Sequence, residues 1–154
     1  MHILFVCTGN TCRSPMAEAY FRYLVEKEGL RDITVSSAGT YAGNGESVSE
    51  FSSATLKKEY GIEIGAHKSI ALTEEMVKKA DLIIAMTASH RNHIGMLCPD
   101  CLEKIRLLSE FSIGGDISDP FGGQMGVYQA CFKSMRPALE NLLKMIKEGS
   151  DLNL

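Results

Sequence analysis

Cys7 and Arg13 stand six residues apart in the segment Cys7-Thr8-Gly9-Asn10-Thr11-Cys12-Arg13-Ser14. A cysteine thiolate is a strong nucleophile, and the planar fork of arginine binds two phosphoryl oxygens in a geometry that lysine cannot copy. Together they suggest covalent phosphoryl transfer, with Cys7 attacking phosphorus to form a cysteinyl-phosphate and Arg13 holding the equatorial oxygens. The backbone N–H groups of Thr8, Gly9, Asn10, Thr11 and Cys12 would line the cradle for that anion. Gly9 and Asn10 suit left-handed backbone angles, and Ser14 offers a hydroxyl to the thiolate. The leaving group also needs a proton. Asp119, in Asp119-Pro120-Phe121-Gly122-Gly123, is the candidate acid, and Asp116 is the competing carboxylate. A bare Cys-x5-Arg is short enough to be a strand-end hydrophobe and a surface arginine, so the elements around it must decide.

Those elements agree. Ile3 to Val6 is continuously apolar, as a parallel strand buried on both faces is, and it runs straight into the loop. Ser14-Pro15 then opens a helix, with Ser14 as N-cap, Pro15 at the first position and Glu18 in the first turn. A strand–loop–helix junction turns N–H groups and the positive end of the helix dipole toward one point. The loop lacks the Gly-Lys-Ser/Thr ending of a nucleotide-binding loop and has no dinucleotide glycine fingerprint. Further strands are predicted at Ile33 to Ser36, Leu82 to Met86 and Ile105 to Leu108. Helices are predicted at Val48 to Tyr60, from Thr73 to Ala80, from Thr87 through Leu97, and from Gly123 to Glu148. Pro137 should kink or split the last one. Short apolar runs alternating with helical patterns predict a three-layer α/β fold, a four-stranded parallel sheet with helices on both faces.

The 154 residues fit one domain, 1–154, and 45% apolar with 23% charged residues excludes a disordered or fibrous chain. Sixteen basic against nineteen acidic residues give a net charge of −3. That argues against nucleic-acid or membrane-surface binding by bulk charge, so an anion must be captured locally. Cys7, Cys12, Cys98, Cys101 and Cys131 are an odd count, which argues against a disulfide framework and for a reducing, cytoplasmic setting. Cys131 lies on the apolar stripe of the last helix and reads as core packing. The chemistry requires neither cofactor nor metal.

The segment from Val6 to Glu18 resembles the nucleophile loop of the low-molecular-weight protein tyrosine phosphatases. Ser37-Ala38-Gly39, Ala66-His67-Lys68-Ser69, Asp81 to Met86 and Asp119-Pro120 follow in that family's order. The resemblance implies a sheet flanked by helices, Cys7 as nucleophile, Arg13 as phosphate ligand and Asp119 as general acid. It also implies a supporting hydrogen-bond network of Asn10, Ser14, Ser37 and His67, and a Cys12 able to form a reversible disulfide with the nucleophile. Phosphorylated protein side chains are the implied substrates, with phosphate and other oxyanions as competing ligands. Two departures matter. Thr11 stands where many members carry Ile or Leu, and Phe121-Gly122 stands where they carry two tyrosines. Both resemble the bacterial protein-arginine phosphatase branch and favour phosphoarginine, with phosphotyrosine the alternative.

Two other functions compete. Thioredoxin-coupled arsenate reductases share this fold and loop, and Cys98-Pro99-Asp100-Cys101 is the candidate relay pair. A non-catalytic module that binds phosphorylated residues would keep the cradle without turnover. His90 and His93, followed by Cys98 and Cys101, have the ligand types of a structural zinc clip. Tyr41 and Asn44 fall in a loop expected near the site mouth.

Overall fold

The structure, a computed structural model, describes residues 1–149 and 152. Strands β1 (His2–Cys7), β2 (Thr34–Gly39), β3 (Leu82–Ala85) and β4 (Ile105–Leu107) form one parallel sheet in the order β2-β1-β3-β4. β1 is central, and its side chains divide by parity. Ile3, Phe5 and Cys7 join the core built with α1 (Arg13–Lys27), α2 (Glu50–Tyr60) and α5 (Met125–Lys147). Leu4 and Val6 join the core on the other face, with α3 (Glu74–Lys79) and α4 (Ala88–Leu97). Alternation on a doubly covered strand explains why β1 reads as one unbroken apolar run.

Strand order also locates the site. From β1 the chain steps to β2 on one side, then returns past β1 to β3 on the other. The carboxyl end of β1 therefore lies where the order reverses, the crevice in which open α/β sheets bind ligands. The Cys7–Ser14 loop leaves β1 at that point.

Several boundaries differ from the sequence expectation. Ser14 is not the N-cap of α1; Cys12 occupies that position, no side chain caps the helix, and Pro15 is the third residue. The hydroxyl of Ser14 is committed to the loop instead. β2 runs to Gly39, beyond the expected end at Ser36, because Ser36 to Gly39 pair with Leu4 to Cys7. α2 ends as expected at Gly61, whose φ of 67° is left-handed. Thr73 and Thr87 do cap their helices, accepting from the N–H groups of Met76 and His90. α5 begins at Met125, and Pro137 does not split it. The carbonyl of Lys133, four residues back, loses its helical donor at an exposed position.

Cys98 and Cys101 are joined by a disulfide, with Cα atoms 5.4 Å apart. The odd cysteine count gave no sign of it. The cross-link spans three residues at the start of a 3₁₀ segment (Pro99–Lys104) and ties no distant parts together, so it is no framework. Among the described residues no helix is long and apolar enough to cross a membrane.

Candidate active site

Cys7 ends β1 at 2% exposure, and its Sγ lies 2.9 Å from Ser14 Oγ. Asn10 holds the loop around it. At φ 56° it is the one non-glycine residue among those described in the left-handed region, where asparagine is tolerated. Its Nδ2 donates to Ser14 Oγ at 2.8 Å and to Ser37 Oγ at 2.9 Å, and its Oδ1 accepts from the Ile70 N–H at 2.9 Å. The Asn10 carbonyl accepts from His67 Nε2 at 2.9 Å. Asn10, Ser14, Ser37 and His67 thus form one connected network behind the sulfur. Gly9 is not left-handed, contrary to expectation, and a Cβ built there would meet Thr11 Oγ1 at an ordinary 3.6 Å. The glycine that matters sterically is Gly39, whose added Cβ would lie 2.4 Å from the Thr8 carbonyl oxygen.

Arg13 turns back from the first residue of α1 and is buried. Its Nη1 donates to the Ile117 carbonyl at 2.9 Å and its Nη2 to Thr8 Oγ1 at 3.3 Å. Nη2 also lies 3.6 Å from Asp119 Oδ2. Its Nε is buried without a hydrogen-bond partner. A desolvated guanidinium N–H left unpaired is costly, and an oxyanion in the loop would relieve that cost. The uncapped start of α1 adds N–H groups and the helix dipole to the same cradle.

The two competing carboxylates separate. Asp116 Oδ1 accepts from the Ala88 N–H at 3.1 Å and so serves the start of α4. Asp119 is half exposed beside Arg13, its Oδ1 accepting from the Phe121 N–H at 3.1 Å. Phe121 itself is 80% exposed. Thr11 is partly exposed at the mouth, and Cys12 is buried with its sulfur 3.6 Å from the Tyr128 hydroxyl.

The family model described as low molecular weight phosphotyrosine protein phosphatase matches residues 2–151. The chain belongs to that family. A protein-arginine-phosphatase of Bacillus subtilis is 40% identical over 151 residues, covering 96% of this chain and 98% of the relative. One of Geobacillus stearothermophilus is 43% identical over 148 residues, covering 95% and 93%. A solved structure of the YwlE arginine phosphatase, a cysteine-to-serine mutant with a phosphorylated active-site serine, superposes with a TM-score of 0.90. It is 38% identical, and the match covers 99% of each chain.

Against this family frame, some side chains at the site were not legible in the sequence. His90, considered above only as a zinc ligand, is buried with Nε2 2.8 Å from Thr8 Oγ1 and Nδ1 2.9 Å from Thr87 Oγ1. Burial first, then the Arg13 charge, push its imidazole down to about 4, so it is neutral at physiological pH. The capping threonine was readable from local spacing, but Thr8 is 82 residues away and no local pattern points to it. Ile117 enters through its carbonyl, which sequence does not advertise, and Tyr128 through a hydroxyl set by α5. The zinc set does not assemble. His93 packs its ring edge-on to Tyr41 at 5.2 Å, Cys98 and Cys101 bond each other, and no three His, Cys, Asp or Glu side chains among the described residues could hold a metal. Cys98 and Cys101, the candidate arsenate relay pair, are buried in the core cluster that holds Leu4, Val6 and Ile94. Asn44 turns its Oδ1 to the Ala71 N–H, stabilising the neighbouring loop. Burial pushes the Cys131 thiol up to about 12, as befits a packing residue.

Proposed function

We propose that this chain is a cysteine-dependent protein phosphatase acting on phosphorylated side chains, with a preference for phosphoarginine. The observation that carries the chemistry is Arg13, buried, fixed on two sides and holding an unpartnered Nε beside the Cys7 sulfur loop. In the first step the Cys7 thiolate attacks phosphorus while the bond from phosphorus to the leaving nitrogen breaks. The electron pair departs with nitrogen, which takes a proton from Asp119. In the second step water attacks the cysteinyl-phosphate, gives its proton to Asp119 and releases inorganic phosphate. The S–P bond breaks and the thiolate is restored. Ser14 steadies that thiolate in both steps, and Asn10, Ser37 and His67 hold the loop open around it. Thr8, Gly9, Asn10, Thr11 and Cys12 line the anion site, and Phe121 borders it.

The substrate preference rests on Thr11, on Phe121-Gly122 in place of paired tyrosines, and on the two protein-arginine-phosphatases among the relatives. A carboxylate such as Asp119 suits a substrate whose leaving group is a guanidinium, since it pairs with that group as well as protonating it. A hydroxyl at position 11 leaves room for a slim planar group where a branched aliphatic would crowd it. The reading is of a cytoplasmic enzyme, in which Cys7 is kept reduced.

Measuring kcat/KM on phosphoarginine and phosphotyrosine peptides, for the wild type and Thr11→Ile, tests this preference. Faster phosphoarginine turnover by the wild type, shifted toward phosphotyrosine in Thr11→Ile, is the expected result. Faster phosphotyrosine turnover by the wild type would assign the chain to tyrosine substrates instead.

A further inference from the structure

We infer that His90 is a positioning residue for phosphoryl recognition, fixing the Thr8 hydroxyl so that Thr8 steadies Arg13 and keeps its own proton for an acceptor in the loop. The inference rests on the phosphatase reading of Cys7 and Arg13 and extends it to α4, on the opposite face of the sheet from α1. Its basis is a chain of three contacts: Thr87 Oγ1 to His90 Nδ1 at 2.9 Å, His90 Nε2 to Thr8 Oγ1 at 2.8 Å, and Arg13 Nη2 to Thr8 Oγ1 at 3.3 Å.

The proposed direction of this chain runs from Thr87 through His90 to Thr8. Thr87 Oγ1 already accepts the backbone N–H of His90 at 3.3 Å as the cap of α4. In the proposed arrangement its hydroxyl proton goes to Nδ1, and the ring proton sits on Nε2. Nε2–H donates to Thr8 Oγ1, whose second lone pair takes the Arg13 N–H. Both acceptor sites of Thr8 are thereby filled from known directions, and its proton is left over. The opposite tautomer would spend the Thr8 proton on the ring and free the Thr87 proton instead, so only the first leaves Thr8 a proton for an oxyanion. The ring is buried and neutral, so it adds no second cation beside Arg13.

A histidine that merely stabilised the start of α4 would need Nδ1 alone. Two substitutions separate the nitrogens. His90→Asn places an amide near the Nδ1 position, within reach of Thr87 but short of Thr8. His90→Gln reaches the Nε2 position and Thr8 but forgoes Thr87. With an aryl phosphate for turnover and inorganic phosphate for affinity, His90→Asn and the isosteric Thr8→Val each lose about tenfold in both, the loss of one positioned hydrogen bond. His90→Gln stays within about threefold of the wild type, and the Asn/Val double variant falls about tenfold, not about a hundredfold. The reverse order, with His90→Gln impaired and His90→Asn normal, would show a helix-capping role and overturn the inference. So would multiplying losses in the double variant. If His90→Asn does not fold, Thr8→Val against His90→Gln decides: a Thr8→Val indistinguishable from wild type overturns the proposal. Absence of turnover in the wild type would sink the phosphatase reading, whereas the phosphate affinities would still decide the role of His90.

Discussion

Asn10 spends every polar atom of its side chain, and its carbonyl as well, on holding the loop, at complete burial. Such fixed partners hold the shape of the anion site that Arg13 and the loop amides form in an acidic protein. His90 carries a measurable consequence of the same burial. Its imidazole protonates near 6.5 in an unfolded chain but only at about 4 in the fold. Arg13 and His93 push it down, while Asp119 and Asp116 oppose them. Between those values the unfolded state binds more protons, so stability is lost as pH falls from 6.5 toward 4 and the effect levels off below that. Urea unfolding at about pH 7.5 and about pH 4.5 should show a larger loss for the wild type than for His90→Gln. Equal losses would mean that His90 titrates normally in the fold.

At the scale of elements, the end of β2 sets the loop. Gly39 pairs with Cys7, donates its N–H to the Ile70 carbonyl and accepts from the Leu72 N–H. A methyl there would meet the Thr8 oxygen at 2.4 Å and the Asn10 nitrogen at 3.0 Å, both backbone atoms. Gly39→Ala should therefore lower kcat/KM by at least about a hundredfold through displacement of the loop, far beyond its effect on the melting temperature. Activity within a few-fold of the wild type would show that the loop tolerates the shift. β1, the helix ends at Thr73, Thr87 and Gly61, and the order of strands and helices were legible because local periodicity and capping dictate them. Ser14 misled, since a serine before proline has cap chemistry and only the neighbouring sulfur shows where its hydroxyl goes. Asp119 and Asp116 were equivalent by spacing. Arg13 and the start of α4 separate them, and both partners come from distant parts of the chain. The same holds for His90 with Thr8. The Cys98–Cys101 bond is local, but spacing alone did not distinguish it from ligands or free thiols.

Across the whole molecule, a net charge of −3 gives no general attraction for a phosphorylated substrate. Binding must come from Arg13, the α1 start and the loop amides, and it must favour the folded state alone. Inorganic phosphate at about a hundred times its dissociation constant should then stabilise the wild type by about 2.7 kcal/mol. Arg13→Lys should lose most of that stabilisation at the same concentration, because an ammonium cannot hold two oxygens as a planar fork does. Equal stabilisation of both proteins would place phosphate elsewhere. Catalysis turns on the sulfur of Cys7 becoming covalently bonded to phosphorus. Rapid acid quench of Asp119→Ala during reaction with an aryl phosphate, followed by peptide mass spectrometry, tests that directly. The predicted result is a phosphoryl group on Cys7, with no adduct and no turnover in Cys7→Ala. Turnover that persists in Cys7→Ala, with no phosphorylated Cys7 in any sample, would contradict it.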